Sequence, residues 1–135
     1  PSKPLAQIAS GGEISRIMLA LRTILAESDR VPVVIFDEID AGVGASMGMR
    51  IAEKLYAVAS SRQVICVTHL PQIAAMANNH VMVGKLVASG RTRTEIAFPA
   101  GDQRTREIAR MLGGDTTGIS LKHAQELLAL SRKPL

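Results

Sequence analysis

Two short apolar runs, Val31-Pro32-Val33-Val34-Ile35-Phe36 and Gln63 to Thr68, constrain this chain more than any other feature. Each is rich in β-branched residues and too short for a helix, so each reads as a strand. A run that is apolar without alternation points to a strand buried on both faces, as in parallel sheets. Pro32 fits only at the beginning of the first strand, because it cannot donate to a ladder. Between the runs, Ile51, Ala52, Leu55, Val58 and Ala59 recur at helical spacing. Strand, helix and strand in this order predict an α/β architecture with the two strands parallel.

The flanking sequence extends this pattern. Ser10-Gly11-Gly12-Glu13 precedes Ile14, Ile17, Met18, Leu21, Ile24 and Leu25, which share one helical face over about four turns. Ser10 followed three residues later by Glu13 is a capping box, in which each side chain satisfies a backbone N–H left unpaired by the helix. Pro71 suits the first turn of a third helix running through Ile73, Ala74, Met76 and Ala77 to a stop at Asn78-Asn79. Residues 81–87 and 91–98 read as strands of a hairpin joined at Ala88-Ser89-Gly90. Gln103 to Leu112 reads as a helix closed by Gly113-Gly114, and Ile119 to Leu130 as a last amphipathic one.

Composition narrows the function. A chain of 135 residues, 47% hydrophobic and 21% charged, should form one compact unit, or part of a larger one, with a real core. The net charge of +4 permits an anionic partner without requiring one. Most of the basic excess lies after residue 90, with eight basic and five acidic side chains, against eight and seven before it. Tyr56, Phe36 and Phe98 are the only aromatic residues, which argues against a base-stacking platform for single strands or RNA. The single Cys66 sits in an apolar run, reads as a small buried hydrophobe, and suits a reducing cytoplasm. No apolar run approaches the about 20 residues of a membrane span, and Pro1-Ser2-Lys3-Pro4 lacks the layout of a signal peptide. A cytoplasmic protein with no membrane partner is expected.

Three places carry chemistry. Asp37-Glu38 ends the first strand, at the sheet edge where α/β proteins bind ligands. One carboxylate there can hold Mg²⁺ and the other polarise an attacking water, although for the pair alone a solvated acidic turn is the plainer account. Gly11 and Gly12 weaken the first helical turn and in exchange allow a phosphate to approach the positive end of the helix; a loose capped turn accounts for them equally well. Thr68-His69 follows the second strand, which should neighbour the first and set His69 on the same edge as Glu38. A histidine there can hydrogen-bond a terminal phosphate. Three such features in this order reinforce one another. His80 and His123 lack such a context.

At these residues the chain resembles the ABC-type ATPases. Ala9-Ser10-Gly11-Gly12-Glu13 looks like their signature motif, Val33 to Glu38 like the Walker B strand with its catalytic glutamate, Asp40-Ala41-Gly42 like the D-loop, and His69 like the switch histidine. The wider wording, Phe36 to Val43, Thr68 to Ala74 and Glu107 to Gly114, is similar to the RecN family of bacterial SMC-like DNA repair proteins. This resemblance implies that residues 1–135 are the C-terminal half of an ATPase head. It further implies that ATP binds between two heads and that the protein acts in recombinational repair of double-strand breaks. By the same resemblance Asp37 would serve Mg²⁺, Glu38 would activate water and His69 would contact the γ-phosphate. Ser10, Gly11, Gly12 and Glu13 would reach ATP held by a second head in a homodimer.

The likeness has departures: Ala9 stands where Leu is usual, Glu13 where Gln is usual, and Gly44 where many heads close the D-loop with Asp. No G-x-x-x-x-G-K-[ST] phosphate loop and no heptad coiled coil occur in the 135 residues. The chain therefore reads as one piece of a head whose N-terminal half is its first partner, with hydrolysis expected only when both halves and a second head are present. Two alternatives stand beside this reading. One is a sequence-independent DNA-binding module using phosphate contacts from Arg91, Arg93, Arg104, Arg106 and Arg110. The other is a half-domain of a membrane transporter's ATPase.

Overall fold

The computed structural model describes residues 9–25, 31–88, 90–113 and 118–131. Pro1 to Pro4, Ser89 of the hairpin turn and Gly114 lie outside the described residues. Where the chain's size suggests one compact unit, its contacts separate into two, one running to Ile73 and the other from Ala74 to Pro134.

The first unit contains α1 (Gly11–Ile24), β1 (Val33–Phe36), α2 (Ala45–Ala59) and β2 (Gln63–Cys66), and the short α3 (Pro71–Met76) carries the division. β1 and β2 pair in parallel, with register running from Val33 opposite Gln63 to Phe36 opposite Cys66. The expected βαβ order is thus present. Two hydrogen bonds extend the ladder beyond the strands, from the Gln63 N–H to the Pro32 carbonyl and from the Val67 N–H to the Phe36 carbonyl.

The expected burial needs correction at three places. Both strands read as covered on both faces, yet only one face is covered here: Val34 and Phe36 are buried, while Val33, Ile35, Ile65 and Val67 are exposed. Cys66 is half-buried rather than fully buried. The apolar stripe of α1 likewise faces outward, with Ile14, Ile17, Met18, Leu21 and Ile24 all exposed. The buried side of that helix is formed by Gly12 and Leu19, with Ser15 and Arg16 half-buried beside them. Small residues and side-chain bonds to carbonyls seat α1 on its own unit. Its hydrophobic periodicity therefore marks a surface, not the local core. α2 behaves as expected, burying Ile51, Ala52, Leu55 and Val58.

The second unit pairs β3 (Met82–Ala88) with β4 (Arg91–Ala97) in an antiparallel hairpin, followed by α4 (Gly101–Met111) and α5 (Ile119–Leu130). Ile108, Ala109, Ala124 and Leu127 from these two helices are buried.

Candidate functional site

The N-terminus of α1 and the loops following β1 and β2 all lie in the first unit. At the start of α1, the Ser10 N–H donates to the Glu13 carboxylate at 2.8 Å and the Glu13 N–H donates to Ser10 Oγ at 3.3 Å. The capping box expected from Ser10 and Glu13 is complete. The backbone N–H and the hydroxyl of Ser10 hold the Glu13 carboxyl below its usual value, so it is charged at neutral pH.

Gly12 is required by packing within this chain, and Gly11 lies close to a side chain. A Cβ on Gly12 would lie 2.7 Å from the Glu38 carbonyl oxygen, and one on Gly11 would lie 2.8 Å from Glu38 Oε2. The first turn of α1 thus rests against the loop that leaves β1. Two further residues of α1 fasten that loop. Ser15 Oγ donates to the Asp37 carbonyl at 2.9 Å, and Arg16 Nη1 donates to the carbonyls of Ile39 and Ala41 at 3.1 and 3.0 Å. Nothing in the sequence pattern singles out Ser15 or Arg16, because both act on backbone that only the fold brings near.

Asp37 and Glu38 are exposed at the C-terminal end of β1. Glu38 has a φ of +56°, in the left-handed region that a residue with a side chain rarely adopts. Such a conformation costs about 1–3 kcal/mol and persists only where the surroundings enforce it. Here they do: the Glu38 N–H donates to Asp37 Oδ1, the Ala41 N–H donates to the Glu38 carbonyl, and Ile39 is fully buried.

Asp40 is the buried acid of the loop, with only 3% of its surface exposed. Its Oδ2 accepts from the Thr68 hydroxyl and from the His69 N–H at 2.8 Å, and His69 Nδ1 lies 3.0 Å from it. Burial alone would raise the Asp40 carboxyl, but the bonds from Thr68 and His69 outweigh it and hold the group below the usual aspartate value. Thr68 Oγ1 also accepts from the Leu70 N–H. Gly48, buried in α2, leaves room for Leu70, whose Cδ1 would lie 2.9 Å from a Cβ there. Ala41 and Gly42 remain exposed beside Asp40, and the His69 side chain is 72% exposed. The structure therefore brings Ser10 to Glu13, Asp37, Glu38, Asp40 to Gly42 and His69 into one unit and adds Ser15, Arg16, Gly48 and Thr68. Beside them, burial together with Asp40 and Asp37 pushes the Cys66 thiol up to about 12, so it is no nucleophile.

The arginines fall in the second unit. Arg104 Nη2 donates to the carbonyls of Ala74, Ala75 and Ala77 at the end of α3, and Arg110 forks onto Glu107 with bonds of 2.8 and 2.7 Å. Arg91, Arg93 and Arg106 are exposed. Among the described residues no cluster of three His, Cys, Asp or Glu could hold a metal, and no helix is long and apolar enough to cross a membrane. A single-carboxylate Mg²⁺ site is compatible with this, since Mg²⁺ is commonly held by one or two carboxylates, waters and substrate phosphates.

The chain is 52% identical over 129 residues to DNA repair protein RecN of Treponema pallidum (strain Nichols), covering 95% of the chain and 22% of that relative. It is 51% identical over 126 residues to RecN of Deinococcus radiodurans, covering 93% and 22%, and 43% identical over 129 residues to RecN of Bacillus subtilis (strain 168), covering 95% and 22%. The chain thus spans about a fifth of the curated relatives it matches, and the resemblance to RecN read from its motifs runs along nearly all of it. No protein-family model matches the chain. A solved structure from work on ATP-driven dimerization and DNA-stimulated activation of SMC ATPases superposes with a TM-score of 0.55 at 20% identity. It covers 83% of this chain and 66% of that one, and places the fold with the α/β fold of SMC ATPases.

Proposed function

From the likeness to RecN and the geometry of the first unit together, we propose that residues 1–135 are the C-terminal half of an ATPase head. Completed by the half that carries the phosphate-binding loop, this head hydrolyses ATP between two copies in the repair of DNA double-strand breaks. The observation that carries the reading is the convergence of Asp37-Glu38 and Thr68-His69 at the ends of two adjacent parallel strands, tied together by Asp40. Strand ends of this kind are where α/β sheets act on ligands.

In this reading Asp37 holds Mg²⁺, its Oδ1 oriented by the Glu38 N–H. Bound Mg²⁺ would neutralise charge developing on the phosphates. Glu38, exposed at the same turn, takes the proton of the attacking water. His69 presents its ring to the terminal phosphate. Ser10, Gly11, Gly12 and Glu13 present the N-terminus of α1 to nucleotide on a second head, where unpaired N–H groups and the helix dipole favour a phosphate.

The test is Glu38→Gln in the complete protein. It should leave ATP binding intact, slow hydrolysis by at least ~100-fold and prolong the ATP-bound dimer. Turnover at the normal rate would remove Glu38 from the mechanism.

A DNA contact through the second unit rests on Arg91 and Arg93, which lie two apart on β4 and so share a face of the exposed hairpin. Arg106 is also exposed, whereas Arg104 and Arg110 have intramolecular partners. Contacts of this kind read phosphates rather than bases, and they weaken steeply with salt.

A further inference from the structure

Asp40, which by resemblance belongs to the D-loop, points inward in the structure. One oxygen, Oδ2, accepts from the Thr68 hydroxyl and the backbone N–H of His69 and lies 3.0 Å from the ring Nδ1 of His69. The same carboxylate oxygen thus holds the main chain and faces the ring of one residue. A carboxylate beside Nδ1 favours a proton on that nitrogen and leaves Nε2, on the far side of the ring, for a ligand. The carboxylate is 96% buried on its side chain while the imidazole is 72% exposed, so the anchor is inside the fold and the working end outside. Ile39, fully buried just before it, and Arg16, bonded to the carbonyls on both sides of it, hold Asp40 in place. Thr68 completes the brace by donating to Asp40 and accepting from the Leu70 N–H.

We propose that Asp40 is a positioning residue for His69 within the same chain, orienting the imidazole so that Nε2 addresses the terminal phosphate. This rests on the reading of His69 given under Proposed function. Preorganisation of this kind acts on the transition state more than on ground-state binding, so its loss should appear in kcat and hardly in KM. Asp40→Asn keeps the shape of the side chain but removes the charge that faces the Thr68 hydroxyl and both nitrogens of His69 near it. His69→Gln removes the ring itself.

In the complete protein, each of these two variants should lower kcat at saturating ATP by at least ~10-fold, with KM for ATP changed less than ~2-fold. The double variant should turn over no more than ~2-fold slower than the slower single variant, because residues that act as one unit are not additive. Thr68→Val should lower kcat in the same sense and Thr68→Ser should restore it, which tests the brace even if Asp40→Asn does not fold. Normal kcat in Asp40→Asn or Thr68→Val while His69→Gln is impaired would overturn the positioning role alone. Losses that multiply in the double variant would overturn it too, by giving Asp40 an independent action. Normal kcat in His69→Gln would instead remove His69 from the mechanism, and the proposal with it.

Discussion

At the scale of single residues, the paired glycines at the start of α1 show how one motif answers to two demands. Their place before a helix invites a phosphate, and the contacts of Gly12 show that the fold of this chain also needs that residue small. The two positions differ in what they face. A methyl group on Gly12 meets the Glu38 carbonyl oxygen at 2.7 Å, with Ala41 Cβ at 3.0 Å, and that backbone is pinned by Arg16. On Gly11 it meets only the end of the Glu38 side chain, which can swing away. Gly12→Ala should therefore cost about 1–3 kcal/mol, in the range of overpacked sites, and Gly11→Ala less than about 1 kcal/mol. Thermal unfolding of the two variants of the complete protein without nucleotide checks this. A Gly11→Ala midpoint below that of Gly12→Ala would contradict the packing account.

At the scale of elements, α4 is tied to the end of α3 by a charged side chain. Arg104 donates to three carbonyls there, a favourable place for a cation because the C-terminal carbonyls of a helix are left unpaired. Near it, His80 has its Nδ1 buried without a hydrogen-bond partner. Burial, reinforced by the charge of Arg104 and opposed by Glu107, lowers the His80 pKa below its ordinary value. The folded chain thus binds a proton at His80 less readily than the unfolded chain. The stabilisation from keeping His80 neutral is fully present above about pH 6.5, the unfolded value, and is lost as the pH falls from there through the lower folded value. Glu107 is held low by Arg110 and titrates well below this window. The thermal midpoint of the second unit should fall between about pH 7.5 and pH 5.5, and His80→Leu should flatten that dependence. An equal fall in both proteins would assign the loss to other groups.

At the scale of the whole molecule, two exposed apolar surfaces stand out in the first unit. One is the α1 stripe of Ile14, Ile17, Met18, Leu21 and Ile24, and the other is the sheet face of Val33, Ile35, Ile65 and Val67. Contiguous apolar surface of this kind marks sites of association. The curated relatives are between four and five times the length this chain covers, and the sequence lacks the phosphate loop on which nucleotide affinity in such heads chiefly depends. We expect the remaining half of the head to cover these faces and supply that loop. Calorimetry should then detect no Mg-ATP binding to the 135-residue chain alone, and adding the N-terminal half in trans should restore it. Micromolar binding by the chain alone would overturn the split head and demand a complete site within these residues.

The βαβ order, the capping box and the carboxylates ending β1 follow from local rules, since each depends on residues within a few positions of one another. The hairpin and the two C-terminal helices are legible for the same reason. What lies across the chain is not. That α1 turns its apolar stripe outward, and that the strands are covered on one face only, depend on which surfaces meet; periodicity marks an apolar face but not its partner. Ser15 and Arg16 act on carbonyls more than 20 residues away in sequence, and Thr68 and His69 meet Asp40 across 28 and 29 residues. Their type and spacing carry no trace of this, because a side chain can bond to the backbone of any residue brought near it. The types and spacing of the candidate residues are thus legible in the sequence. Their arrangement, with Asp40 inward and His69 outward, was decided by the pairing of two short parallel strands that sets their C-terminal loops side by side.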